Sequence, residues 1–158
     1  MDPLDQAVQQ LRIVVAGLIA GLLAFAAVAL VMGSALARRE DPQFARLLLS
    51  VLGLACASTA LGYVVARRAL MRSLGPRAAE LRQLADPAPA LLDAYRRLTI
   101  LGAALAEGPG FFALVVYMLT ANPIALAPAL ASAILVGFQL PSREGIRRFA
   151  EGVLASGP

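Results

Sequence analysis

Two long stretches of this chain carry no charge at all, and a third carries one. Residues 13–37 run 25 positions without a charge, residues 47–66 run 20, and residues 98–142 run 45 with Glu107 as the single interruption. A helix needs about 20 residues to cross roughly 30 Å of hydrocarbon. The first two stretches therefore match one crossing each, and the third is too long for one. Asn122-Pro123 divides it, because proline disfavours helical geometry in the residue before it. The spans read as about 13–36, 46–67, 98–120 and 123–140, with a loop at 68–97 and an amphipathic tail at 142–154. The expected fold is all-α: a four-helix transmembrane bundle of two antiparallel hairpins, one integral membrane domain over residues 1–158. At 59% hydrophobic, a chain of 158 residues leaves too little polar surface for a soluble domain.

The net charge of +4 raises nucleic acid as a partner, but its distribution argues against one. All 14 basic residues are arginine, and they cluster beside the span ends. Four crossings put the N-terminus, the 68–97 loop and the tail on one side. That side holds eleven arginines, among them Arg12, Arg67, Arg96, Arg97, Arg143 and Arg148, whereas Arg38, Arg39 and Arg46 make three on the other. An excess of this kind predicts that both termini are cytoplasmic, in a bacterial inner membrane. The segment Ala35-Leu36-Ala37 also reads as a signal-peptidase site, which would leave three spans. The acidic start at Asp2 and Asp5 and the length of the first apolar run favour retention.

Helix starts are marked by Asp2-Pro3 and Asp41-Pro42. Gly75-Pro76 and 86–89 (Asp-Pro-Ala-Pro) are expected to break the central loop. Between them Ala78, Leu81 and Leu84 predict a short helix on the membrane surface. Residues 91–97 are expected to run straight into the third span, with Tyr95 as an interfacial anchor. Pro141-Ser142 ends the fourth span and can cap a last helix. There Ile146, Phe149, Ala150 and Val153 form one apolar stripe against Arg143, Arg147, Arg148 and Glu151, as expected of a helix lying on an anionic leaflet or docked on a partner.

Catalysis has little to build on. The chain has no His, and Cys56 is its single cysteine, so neither an intrachain disulfide nor a metal or haem site is indicated, and no cofactor is expected. No nucleophile has a plausible base beside it. Small residues instead mark close helix approach: Gly17 and Gly21 in the first span, then Gly53, Ala57, Ser58 and Gly62 in the second. Packing within the bundle is their expected use, with association between chains as the alternative.

Glu107 is the exception to an apolar interior. A charge at mid-bilayer depth is costly, so such a residue is a functional candidate by default. It is flanked by small residues and by the sequence Gly108-Pro109-Gly110, where a kink is expected because proline removes an amide donor and frees a carbonyl near Leu105. No basic group lies at comparable depth. Two roles follow. Glu107 is either a neutral hydrogen-bonding clasp, with Ser58, Thr59, Tyr117, Ser132 or the freed carbonyl as partner, or a carrier of protons or cations.

The run 103–107 (Ala-Ala-Leu-Ala-Glu), followed by 112–117 and ending at Ala121-Asn122-Pro123, resembles the carboxyl-bearing helix of rotary ATP synthase proteolipids (subunit c). That resemblance implies an ion-carrying role for Glu107, with the small-residue second span as partner helix. The long central loop, the Gly108-Pro109-Gly110 insertion and the two further spans depart from that family. A second pattern, Gly102-Ala103-Ala104-Leu105, then Glu107-Gly108 and Phe111-Phe112, then Pro141-Ser142-Arg143, resembles a group of small four-span bacterial inner-membrane proteins. This implies a location and a topology, and no activity. The expected function is a structural or accessory subunit of a membrane assembly, without enzymatic activity. The bilayer, copies of itself or a larger complex are its expected partners, and a proton- or cation-translocating subunit is the alternative.

Overall fold

The computed structural model describes residues 3–36, 42–83 and 87–155, apart from the side chains of 3–4, 34–36, 74–82 and 154. The described residues form α1 (Pro3–Leu36), α2 (Pro42–Gln83), α3 (Ala88–Thr120), a 3-10 turn (Pro123–Ala125), α4 (Leu126–Phe138) and α5 (Arg143–Ala155). Three of them, α1 to α3, are long and apolar enough to cross a membrane. Pro123–Phe138 and Arg143–Val153 are long and apolar enough only when taken together, bent by 77° to each other, so the described helices supply three crossings, or four if this pair is one span. The molecule is a multi-pass, all-helical membrane protein.

Prolines open the first two helices, Pro3 in α1 and Pro42 in α2, where the Asp-Pro pairs predict them; Asp2, Asp41 and the segment 37–40 lie outside the described residues. The corner after α3 shows how a helix end is satisfied. Thr120 Oγ1 donates to Val116 O at 2.7 Å, and Ala121 takes the left-handed conformation with φ 45° while its amide donates to Tyr117 O. Asn122 Oδ1 then accepts from the Ile124 amide at 3.0 Å, with Pro123 at the first helical position. The amino acids that break the 45-residue apolar run are those that cap its two halves.

Helix α3 is the centre of the bundle. Of its most apolar 18 residues 39% are buried, against 6% for the equivalent window of α2. It packs on α1, on α2 and on α4, whereas α1 and α2 make little backbone-level contact with each other. The first two spans, expected to form a hairpin, both pack on α3 and meet through the shared core more than through their backbones. The reason lies in side-chain size: Ala103, Gly110 and Ala113 keep α3 thin enough to be approached from several sides. The main core joins Leu22 and Ala29 of α1, Leu52 of α2, Leu114 and Val116 of α3 and Ala129 of α4.

The expected 68–97 loop is mostly helix. Helix α2 runs through Gly75-Pro76 to Gln83, and α3 begins at Ala88. At 42 residues, α2 is about 63 Å long, twice the hydrocarbon thickness. The apolar pattern at Ala78, Leu81 and Leu84 lies outside the described side chains. Helix α5 supplies the reason for the extensions. Its stripe does not lie free for a leaflet: Val153, at 2% exposure, with Phe149 and Ala150, packs on Leu70 of α2 and on Leu91 and Ala94 of α3. Burying that stripe gives the extensions an apolar core of their own. Ser142 Oγ accepts from the Gly145 amide at 3.0 Å and starts α5, as the sequence predicts.

Polar ties fix this end of the molecule. Arg12 Nε donates to Pro141 O at 3.1 Å, and Arg143 pairs with Asp5. The start of α1, α2 around Leu70, the start of α3 and α5 therefore meet at one arginine-rich end.

Candidate functional site

Glu107 lies ten residues beyond Arg97 on α3, about 15 Å along the axis and close to half the hydrocarbon thickness. The residues one turn to either side are locked in place. Ala103 is fully buried against Val15 and Val136, Gly110 faces Leu22 and Ser132, and the Phe111 ring stands 5.4 Å from Phe25. Helices α1 and α4 thus grip α3 above and below the carboxyl group, and Glu107 itself is half-buried.

The clasp is not formed among the described residues. Ser58 and Thr59 both donate back to Ala55 O, at 2.9 and 2.8 Å. The Tyr117 ring lies against Gly33, and Ser132 lies against Gly110. Glu107 makes no hydrogen bond or ion pair with any described residue. Pro109 sits inside a helix that continues to Thr120, and Gly108 has open space around it.

The small-residue faces point away from the bundle. A Cβ added at Gly17, Gly21, Gly53 or Gly62 would meet nothing within 4 Å. Ala57 and Ser58 are exposed. Packing within the bundle, the expected use of these residues, falls instead to Gly33, Gly102 and Gly110. A Cβ at Gly110 would come within 2.7 Å of Ser132 Cβ. Spacing alone does not separate these two sets, because GxxxG marks a face and not what covers it.

A feature that sequence reasoning missed lies at the arginine-rich end. A cavity of about 760 Å³ opens between α2, α3 and α5, lined among others by Tyr63, Arg67, Tyr95, Thr99, Gln139 and Arg148. A second, of about 380 Å³, runs between α2 and α4 over α3, along Cys56, Ala60, Leu105, Pro109, Ala131 and Leu135. Tyr63 and Gln139 line both. Glu107 lines neither. The pairing of Tyr63 with Arg67 one helical turn on was the legible signal; its partner on α5 was not.

Among the described residues no group of three or more His, Cys, Asp and Glu side chains stands close enough to hold a metal ion. Comparison with protein-family models, with curated proteins and with solved structures gave no match.

Proposed function

We propose that the protein is a non-catalytic subunit of a larger membrane assembly, set in a bacterial inner membrane with both termini cytoplasmic. The observation that carries this is the outward direction of the small-residue faces on α1 and α2. Gly17 and Gly21 lie on α1, and Gly53, Ala57 and Ser58 lie on α2, all exposed and with open space at the glycines. In lipid such faces gain by close backbone approach to another helix, which bulky faces prevent. Helix α2, buried over only 6% of its most apolar window, has the largest surface to offer. The excess of arginine at the end that holds α5 supports the orientation.

The test is the mass of the protein extracted in mild detergent after cross-linking in native membranes. The reading predicts a species larger than one chain. Gly53→Leu with Ala57→Leu should reduce it to a single chain without loss of helicity, since both positions are open. A single chain in the unaltered protein, or an unaltered mass in the variant, would refute the reading.

The second reading, ion translocation by Glu107, is favoured by a carboxyl group at mid-depth that no described side chain engages. The likeness of 103–107 to the proteolipid helix supports it. Carbodiimides modify protonated carboxyls in lipid. The reading predicts labelling at Glu107, and proton flux into liposomes that Glu107→Gln abolishes. A chain that neither labels nor conducts would exclude it.

A further inference from the structure

We propose that the two adjoining cavities, which share Tyr63 and Gln139 in their linings, form a binding site for one anionic phospholipid of the surrounding bilayer, phosphate in the wide chamber and one acyl chain in the groove. Three independent features converge on it.

The wide chamber has the chemistry of a phosphate site. Arg67 of α2 and Arg148 of α5 line it, and among the described residues no acidic side chain does. Guanidinium groups present paired donors that match phosphate oxygens. Arg67 has no ion-pair partner among the described residues. Arg148 gives its Nε to Glu144 at 2.9 Å, so its terminal amino groups remain as donors. Thr99 lines the same chamber at 5% exposure, and its hydroxyl is engaged by no other described residue. A buried hydroxyl without a partner is costly, and a ligand oxygen would satisfy it.

The groove has the chemistry of an acyl-chain site. It arises because α2 and α4 both pack on α3 with little backbone-level contact between them. Its floor runs from Gly102 to Pro109, about 10 Å along α3 and towards the middle of the hydrocarbon. Its walls carry Ala60, Val64, Ala131 and Leu135.

The junction is amphipathic, as a glycerol backbone requires. Gly102 allows the Gln139 amide to lie on the α3 backbone, where a Cβ would come within 2.9 Å of Nε2. Tyr63, like Gln139, lines both cavities. Tyrosine favours this depth because its ring is apolar and its hydroxyl is not. Helix α5 roofs the chamber, held by the edge-on contact of Tyr95 with Phe149 at 5.5 Å.

The experiment is native mass spectrometry of the full chain, delipidated in a maltoside detergent and titrated with phosphatidylglycerol or phosphatidylcholine of matched chains. One phosphatidylglycerol should be retained per chain, at least tenfold more tightly than phosphatidylcholine. The double variant Arg67→Gln/Arg148→Gln should erase that preference, and Arg46→Gln, at the other end, should leave it intact. Ala131→Phe, at an exposed groove position, should weaken both lipids at least tenfold. It provides the test even if the arginine variant does not fold. Equal retention of the two lipids overturns the proposal, as does undiminished preference in the arginine variant or undiminished retention after groove filling. Displacement of the lipid by millimolar glycerol phosphate also overturns it, by assigning the arginines to a soluble phosphate ligand.

Discussion

Gly110 is the position where one added methyl group should do most harm. A Cβ there would stand 2.7 Å from Ser132 Cβ, 3.1 Å from Ser132 Oγ and 3.2 Å from Leu22 Cδ1. The first of these atoms is fixed to the α4 backbone, so relief requires α3 and α4 to separate rather than a side chain to swing. At Gly102 and Gly33 the obstructing atoms belong to the movable Gln139 amide and Tyr117 ring, and at Gly53 there is open space. Replacing glycine by alanine in a helix gains about 1 kcal/mol of intrinsic propensity wherever it occurs. That gain cancels when Gly110→Ala is compared with Gly53→Ala. What remains is the overpacking cost, about 2 kcal/mol. For a chain of this length it corresponds to a melting point about 4–8 °C lower for Gly110→Ala. Thermal unfolding followed by circular dichroism in detergent measures it. Adding Ser132→Gly should recover part of the loss beyond the sum of the single effects. Equal melting points for Gly110→Ala and Gly53→Ala would refute the packing derived for α3.

Two further outcomes follow from the arginine-rich end. Val153→Asp places a carboxylate in the contact with Leu91, Ala94 and Leu70, and should release α5. Tryptic cleavage at Arg147 and Arg148 should then accelerate at least tenfold, and an unchanged rate would mean that α5 is not docked. Arg143→Ala removes the pair with Asp5, whose two side chains are 66% and 31% exposed, so unfolding in detergent should show a stability loss of less than about 1 kcal/mol. A loss of several kcal/mol would show that this pair, and not the apolar stripe, holds the corner.

The helices were legible because hydrocarbon admits few alternatives. Backbone groups in lipid must pair internally, so each uncharged run of about 20 residues reads as a crossing. Asn122-Pro123 and Pro141-Ser142 announced their corners by local chemistry alone, and Ile146, Phe149 and Val153 marked the apolar face of α5. What covers each face was not legible. In lipid, apolar residues face the outside as readily as the core, so composition does not say which side of α1 or α2 packs on α3. Gly53 and Gly110 look alike in sequence, yet one is open and the other is pressed against Ser132. The helix through Gly75-Pro76 escaped notice for a related reason. Gly75-Pro76 is a break by local chemistry, and the cover that α5 brings to Leu70, Leu91 and Ala94 is not written in the local sequence. Glu107 was found by its charge, but the engagement of Ser58 and Thr59 with Ala55 O, which leaves it without those partners, depends on side-chain rotamers.

The path of the chain through the bilayer is tested most directly by cysteine accessibility in a Cys56→Ser background. Helix α5 meets the start of α1 at one end, and Asn122 lies at the far end of α3. A membrane-impermeant maleimide should therefore reach the Gln6→Cys and Glu151→Cys variants from one face and Asn122→Cys from the other. Labelling of Glu151→Cys and Asn122→Cys from the same face would make Pro123–Phe138 a re-entrant segment and contradict the four-crossing account.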